Sequence, residues 1–214
     1  MLHILSVDDL DNDFLISLWE EALSNQGSSN ANLKGKILTN LFYEPSTRTS
    51  SSFYSAMTKS GGTVIPINNV QFSSVAKGES LEDTIMTMGT MSDGIVIRHT
   101  DSGSAKKASI VSNVPIINAG DGDGEHPTQT ILDGFTIYYY KNKKLSDLNI
   151  TMIGDLKNGR TVKSLIKLMS RFKNNHFNFV SPKRLRYSGS LPESYYETTN
   201  INEVLKDTDI LYVT

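Results

Sequence analysis

Seven short apolar runs separated by stretches of helical periodicity constrain the fold of this 214-residue chain more than any other feature. The runs are "KILTNLFY" (36–43), "TVIPI" (63–67), "GIVIR" (94–98), "VPIIN" (114–118), "NITMIG" (149–154), "HFNFV" (176–180) and "DILYV" (209–213). Between them, apolar residues recur near every 3.6 positions, the spacing of one helix face. Phe14, Leu15, Leu18, Ala22 and Leu23 make one such set, and Phe53, Ala56 and Met57 a second. Leu81, Ile85 and Met88 make a third; Ile131, Leu132, Phe135 and Tyr138 a fourth; Val162, Leu165, Ile166, Met169 and Phe172 a fifth. Continuously apolar strands alternating with helices imply parallel sheets covered on both faces. The segment 121–148 reads as a joint: a glycine-rich loop, a long helix after Pro127, then the polar run "KNKKLSDLN". The expected fold is therefore α/β, two doubly wound parallel-sheet domains spanning 1–127 and 128–214.

Composition narrows the function. With 38% hydrophobic residues, 21% charged residues and a net charge of -2, the chain has the make-up of a soluble globular protein. That charge gives no general attraction for nucleic acid or anionic membrane, so any bound anion is held by particular residues. The absence of cysteine removes disulfides and Cys-based zinc sites. The start, "MLHILSVDDLDND", lacks the basic flank and long apolar region of a signal peptide, and no run has the length of a membrane span. A cytoplasmic protein is expected.

In doubly wound folds, ligands gather where strands run out beside helix N-termini. Four cationic or imidazole side chains fall at such places. Ser46, Thr47, Arg48 and Thr49 follow the first strand, Arg98 closes "GIVIR", His126 follows "NAGDGDGE", and Arg160 follows "NITMIGDLKNG". The hydroxyls alone could cap a helix. Arg48, however, adds positive charge to an already positive helix end, which makes sense if an anion sits there. Taken singly, Arg98 reads as a surface or ion-paired arginine; the shared strand-end position favours a cluster that binds a multiply anionic substrate.

Two loops allow other readings. In "VAKGESLEDT", Ser80 to Asp83 resembles a capping box, whereas Lys77 is either a solvated lysine or a mobile charge delivered to a site. In "NAGDGDGEHPTQT", the glycine spacing does not fit a dinucleotide fingerprint, and Asp121, Asp123 and Glu125 do not follow the ligand order of a calcium loop. The preferred reading is that its glycines let backbone approach a ligand while Pro127 starts a helix. His126 then lies at the helix's positive end, which favours neutral imidazole, a donor able to stabilise negative charge developing on a carbonyl oxygen. A buried, structurally satisfied histidine is the alternative. No nucleophile–base pair, metal-ligand spacing or cofactor motif stands out, which leaves orientation and charge stabilisation as the chemistry.

The motifs "FYEPSTRTSSSF", "KGESLEDT", "IVIRHT", "NAGDGDGEHPTQTILDGFTI" and "GDLKNGRTVKSL", in this order, together with the terminal "DTDILYVT", resemble aspartate carbamoyltransferase catalytic chains over essentially the whole sequence. That family moves a carbamoyl group from carbamoyl phosphate to the amine of L-aspartate, yielding N-carbamoyl-L-aspartate and phosphate for pyrimidine biosynthesis. The resemblance implies that residues 1–127 bind carbamoyl phosphate and 128–214 form part of an aspartate-binding domain. Ser46, Thr47, Arg48 and Thr49 would hold the phosphate, with Arg48 also stabilising the leaving oxygen. Arg98 would contact the phosphate and carbonyl region, His126 and Thr49 would polarise the carbonyl, and Gln129 would bind the carbamoyl amine. Arg160 would take an aspartate carboxylate, and Glu44 would bridge the two domains on closure. Ser73 and Lys77 match loop residues supplied by a neighbouring subunit, so a homotrimer with shared sites is implied, with regulatory chains as optional partners. No cofactor or metal is implied.

The chain departs from the family pattern at Ser50, where a second arginine is usual, and a tolerated packing change is expected there. It also stops at Thr214, before an arginine and a glutamine that grip aspartate in the family, so a fragment with an incomplete second sheet is expected. Two other readings stand beside this one: an ornithine-type carbamoyltransferase, which shares the phosphate motif, and a non-catalytic homologue acting in assembly.

Overall fold

A computed structural model describes residues 1–25, 32–68, 78–122 and 124–214. The chain divides into two compact units, Met1–Thr128 and Gln129–Thr214.

The first unit begins with α1 (Asn12–Ser24), whose N-cap Asp11 accepts a hydrogen bond from the Phe14 amide. Then come β1 (Ile37–Phe42), α2 (Thr47–Lys59), β2 (Thr63–Ile67), α3 (Leu81–Gly89), β3 (Gly94–His99), α4 (Ser104–Val111) and β4 (Ile116–Asp121). Its sheet has the order β2-β1-β3-β4 with every pair parallel. Pro66, which cannot donate to a strand ladder, lies in β2 at the sheet edge, where proline is tolerated. Leu41, Ile95, Ile97 and Ile116 form the core against Ile85, Ala105 and Ala108 of the covering helices.

The second unit contains most of α5 (Pro127–Tyr140), then β5 (Asn149–Ile153), α6 (Arg160–Met169), β6 (His176–Val180), β7 (Tyr195–Thr198) and β8 (Ile210–Val213). Its sheet is also fully parallel, in the order β7-β6-β5-β8. One face of α6 buries Val162, Leu165, Ile166 and Met169, as its spacing predicts, while Phe172 falls beyond the helix end. Both sheets are doubly wound: from β1 the chain steps to one side and then the other, and it does the same from β5.

Several local expectations are corrected. On α1 the buried pair is Leu15 and Trp19, four residues apart, whereas Phe14, Leu18 and Ala22 face outward. Ala56 and Leu132 are likewise exposed; on α5 the buried apolar side chains are Ile137 and Tyr138. The fourth strand begins two residues later than its apolar run and continues through Ala119-Gly120-Asp121, because His99 pairs with Asp121 after a shift in register. Helix α4 and strand β7 carried no signal among the apolar runs and stripes.

Candidate active site

A doubly wound sheet opens a crevice at its switch point, where neighbouring strands send their connections to opposite faces. In the first unit that point lies between β1 and β3, and in the second between β5 and β8. The first crevice is flanked on both sides by predicted residues. Phe42 at the end of β1 is in register with Arg98 at the end of β3, so the Ser46–Thr49 segment and the Arg98 side chain leave the sheet at neighbouring carboxyl ends. β4 lies on the other side of β3 and leads to His126. Ser46, Thr47, Arg48, Thr49, Arg98 and His126 thus belong to one end of one sheet.

Ser46 precedes α2, but its side chain makes no capping hydrogen bond. Ser80, the N-cap of α3, behaves differently: it accepts from the Asp83 amide at 3.1 Å and donates to that carboxylate at 2.7 Å. Capping is the right reading of residues 80–83, and it does not describe the hydroxyl at Ser46. The first turn of α2 therefore offers backbone donors beside Thr47 and Arg48, both exposed, and Thr49, half-buried. Such a turn suits an anion. Ser50, one position on, is buried and donates to Asn68 at 2.8 Å, while its carbonyl accepts from Asn40. It is a packing position.

Arg98 has a partner. Its Nε and Nη2 donate to the two oxygens of Glu44 at 3.3 and 3.1 Å, and Nη1 donates to the Ala119 carbonyl at 3.4 Å. The fork is held in a half-buried, bidentate pair, which fixes its plane at the strand end. The neighbouring His99 is structural: its Nδ1 accepts from the Asp101 amide, its ring packs on Tyr43 with centroids 4.5 Å apart, and burial lowers its pKa.

His126 is buried immediately before the first residue of α5, Pro127, and Thr128 Oγ1 lies 3.3 Å from its Nδ1. The loop that delivers it is pinned from within the same unit. Glu125 accepts from Ser6 Oγ at 2.9 Å and from the Val7 amide at 3.0 Å. Asn118, fully buried, donates to the Leu5 carbonyl, to Asp121 and to the Glu125 carbonyl. Asp121 also accepts from the Gly103 amide. The acidic residues in this loop that are described are thus engaged in holding its shape. Gly122 has a related role: its φ is 51°, and a Cβ there would lie 2.5 Å from the Thr100 carbonyl. Close approach to a neighbouring loop requires a glycine at that position.

In the second unit, Gln129 is on the first turns of α5 and donates through Nε2 to Asp133 at 3.0 Å. Asp133 also accepts from the Tyr212 hydroxyl of β8 at 3.0 Å. Burial raises the pKa of Asp133, and burial likewise pushes the Tyr212 phenol up to about 12. Tyr212 in turn interacts with Thr161. Arg160 is the first residue of α6, reached from β5 through a turn in which Asp155 accepts from the Asn158 amide at 3.0 Å. The second switch point is therefore flanked by Arg160 and Thr161 on one side and Tyr212 on the other. Tyr212 and Asp133 escaped sequence reasoning; a polar ring within an apolar strand was the available signal. Ser73, Lys77 and Asp123 lie outside the described residues.

As a class, this is an α/β protein of two parallel-sheet units with an arginine at each switch point and hydroxyls at the first. Residues 2–139 match the family model described as the carbamoyl-P binding domain of aspartate/ornithine carbamoyltransferases. Along 99% of its length the chain is 46% identical to the aspartate carbamoyltransferase catalytic subunit of Clostridium perfringens, covering 72% of that protein. The catalytic subunit of aspartate transcarbamoylase from M. jannaschii superposes with a TM-score of 0.91 at 43% identity, over 100% of this chain and 73% of that one. The Trypanosoma cruzi aspartate transcarbamoylase, solved in complex with carbamoyl phosphate and aspartate, gives 0.92 at 36% identity over 99% and 75%. The chain belongs to the aspartate/ornithine carbamoyltransferase family, and within it to the aspartate carbamoyltransferase catalytic subunits.

Proposed function

We propose that this protein transfers the carbamoyl group of carbamoyl phosphate to the α-amine of L-aspartate, releasing phosphate and N-carbamoyl-L-aspartate in the pyrimidine pathway. The observation that carries the proposal is the set of donors at one end of the first sheet, Ser46 to Thr49, Arg98 and His126, in a chain 46% identical to an aspartate carbamoyltransferase catalytic subunit.

The phosphate is held at the first turn of α2 by the hydroxyls of Ser46, Thr47 and Thr49 and by the Arg48 guanidinium, a planar cation suited to phosphate. Attack of the amine forms a C–N bond at the carbamoyl carbon and moves the carbonyl electron pair onto oxygen. His126, with Thr49, donates to that oxyanion. The C–O bond to phosphate then breaks, Arg48 stabilises the charge left on the departing oxygen, and the amine proton is released. Arg98 bears on the phosphate and carbonyl region, Gln129 meets the carbamoyl nitrogen, and Arg160 takes an aspartate carboxylate. Residues up to about Pro127 form the carbamoyl phosphate half, and the remainder contributes to the aspartate half. Ser73 and Lys77 enter the site of a neighbouring copy, which makes the working form a homotrimer in the cytoplasm, with regulatory chains as possible further subunits.

Arg160 argues against ornithine as acceptor, since a second cation would face the ornithine side-chain ammonium. A colorimetric ureido assay with either amino acid decides between them. Carbamoyl-aspartate formation is expected; product with ornithine alone would overturn the acceptor assignment, and no product with either would favour a non-catalytic homologue.

A further inference from the structure

A primary amide offers a donor at one end and an acceptor at the other, and the two ends are nearly the same shape. Which end Gln129 turns toward a ligand therefore depends on what else the amide meets. One such partner is Asp133, one helical turn along α5, whose Oδ1 lies 3.0 Å from Gln129 Nε2. Its second oxygen, Oδ2, accepts from Tyr212 at 3.0 Å. An ionised carboxylate has only acceptors, so the amide can meet it only through NH2. The Tyr212 hydroxyl, approached by Thr161, holds the carboxylate from β8, so both carboxylate oxygens are engaged from separate elements.

We propose that Asp133 is a positioning residue for carbamoyl recognition: by engaging the Gln129 NH2, it turns the Gln129 carbonyl oxygen toward the substrate and makes the site select a carbamoyl NH2 over an isosteric methyl. This rests on the reading of Gln129 as the residue that meets the carbamoyl nitrogen. Its chemistry is that of a site built to accept from a donor, which penalises an analogue lacking that donor more than an apolar pocket would.

The test uses two phosphonates of equal shape and charge, phosphonoacetamide and acetonylphosphonate, with inorganic phosphate as reference, each titrated by calorimetry. The parent protein is expected to bind the amide about five- to tenfold more tightly than the ketone, the ratio of one good hydrogen bond. In Asp133→Asn the neighbouring amide can present either end, so that preference should fall toward one while phosphate affinity stays unchanged. A preference that survives intact in Asp133→Asn overturns the proposal. So does an equal loss of affinity for all three ligands, the signature of a structural role alone. Gln129→Ala separates the two levels of the argument: if it keeps the preference, the reading of Gln129 is what has failed, and the proposal goes with it. Should Asp133→Asn not fold, the parent still answers by NMR, with the Gln129 NH2 resonances assigned by their loss in Gln129→Ala. One proton shifted downfield and slow to exchange is expected; two at solvent-exposed positions would refute the contact.

Discussion

The tautomer of one imidazole decides whether His126 can do the work assigned to it. Thr128 Oγ1, at 3.3 Å, donates into Nδ1 when the ring carries its proton on Nε2, and that arrangement leaves the imidazole with an N–H donor to direct at a carbonyl. A donor aimed at the oxygen matters most once that oxygen has gained charge, so its loss should appear in turnover rather than in ground-state binding. For His126→Ala, kcat is expected to fall about 10²- to 10³-fold, with carbamoyl phosphate affinity changed far less. Steady-state kinetics beside direct binding checks this; a large loss of affinity with kcat preserved would assign His126 to ground-state binding. Arg98 illustrates the opposite limit of residue-level reasoning. Its place at a strand end was readable, but its bidentate partner Glu44, fifty-four residues away, was not. The resemblance implies a bridging role for Glu44; in this structure its carboxylate lies on Arg98 of the same unit and partly neutralises that cation.

At the scale of elements, the two units repeat a device that fastens the start of the central strand. Asp93, just before β3, accepts from Lys36 at 2.7 Å and from the Ile37 amide at 2.9 Å at the head of β1. Asp209, just before β8, accepts from Lys141 at 2.7 Å and from the Asn149 amide at 3.0 Å at the head of β5. Hydrogen bonds to the charged form depress both carboxyl pKa values below the usual 3.8. A depressed folded-state value means stability present above the unfolded pKa and lost as pH falls through the folded one. Asp209→Ala should therefore lower Tm near neutrality by about 2–4 °C, and the gap to the parent should close progressively below pH 3.8. Thermal melts across that range check it; a gap of constant size down to strong acid would mean that the carboxylate charge contributes nothing. The same scale explains what was legible. The strands that announced themselves carry short apolar runs, as in Ile95-Val96-Ile97 of β3, because most of their side chains are buried. β7 is an edge strand with Tyr195 and Tyr196 both exposed, so its sequence "YYET" has no such run. Helix α4 packs through Ser104, Ala105 and Ala108, small residues that leave no apolar stripe to detect. The Asp133–Tyr212 contact joins residues 79 positions apart, and no local pattern reports it.

For the molecule as a whole, duplication of one topology explains why arginines recur at comparable places. Each unit has a central first strand, a switch point beside it, and a helix starting just beyond: α2 after β1, with Arg48 in its first turn, and α6 after β5, starting at Arg160. A reaction joining a phosphate compound to a dicarboxylate calls for two places that receive anions, and the proposed function assigns one to each switch point. The proposal that a neighbouring copy completes the site makes a prediction at this scale. If Lys77 is delivered to the next subunit while Arg48 stays at home, Lys77→Ala and Arg48→Ala homotrimers are each inactive. A mixed trimer, however, has at least one interface where an intact Lys77 meets an intact Arg48. Mixing the two variants under conditions that exchange subunits should then restore activity, up to about a quarter of the parent level when equal amounts combine at random, because each mixed trimer has one intact site in three and about three trimers in four are mixed. Fluorescent labels on the two variants report exchange independently. Confirmed exchange with no recovered carbamoyl-aspartate would place Lys77 and Arg48 in the same subunit's site, and the shared-site trimer would have to be abandoned.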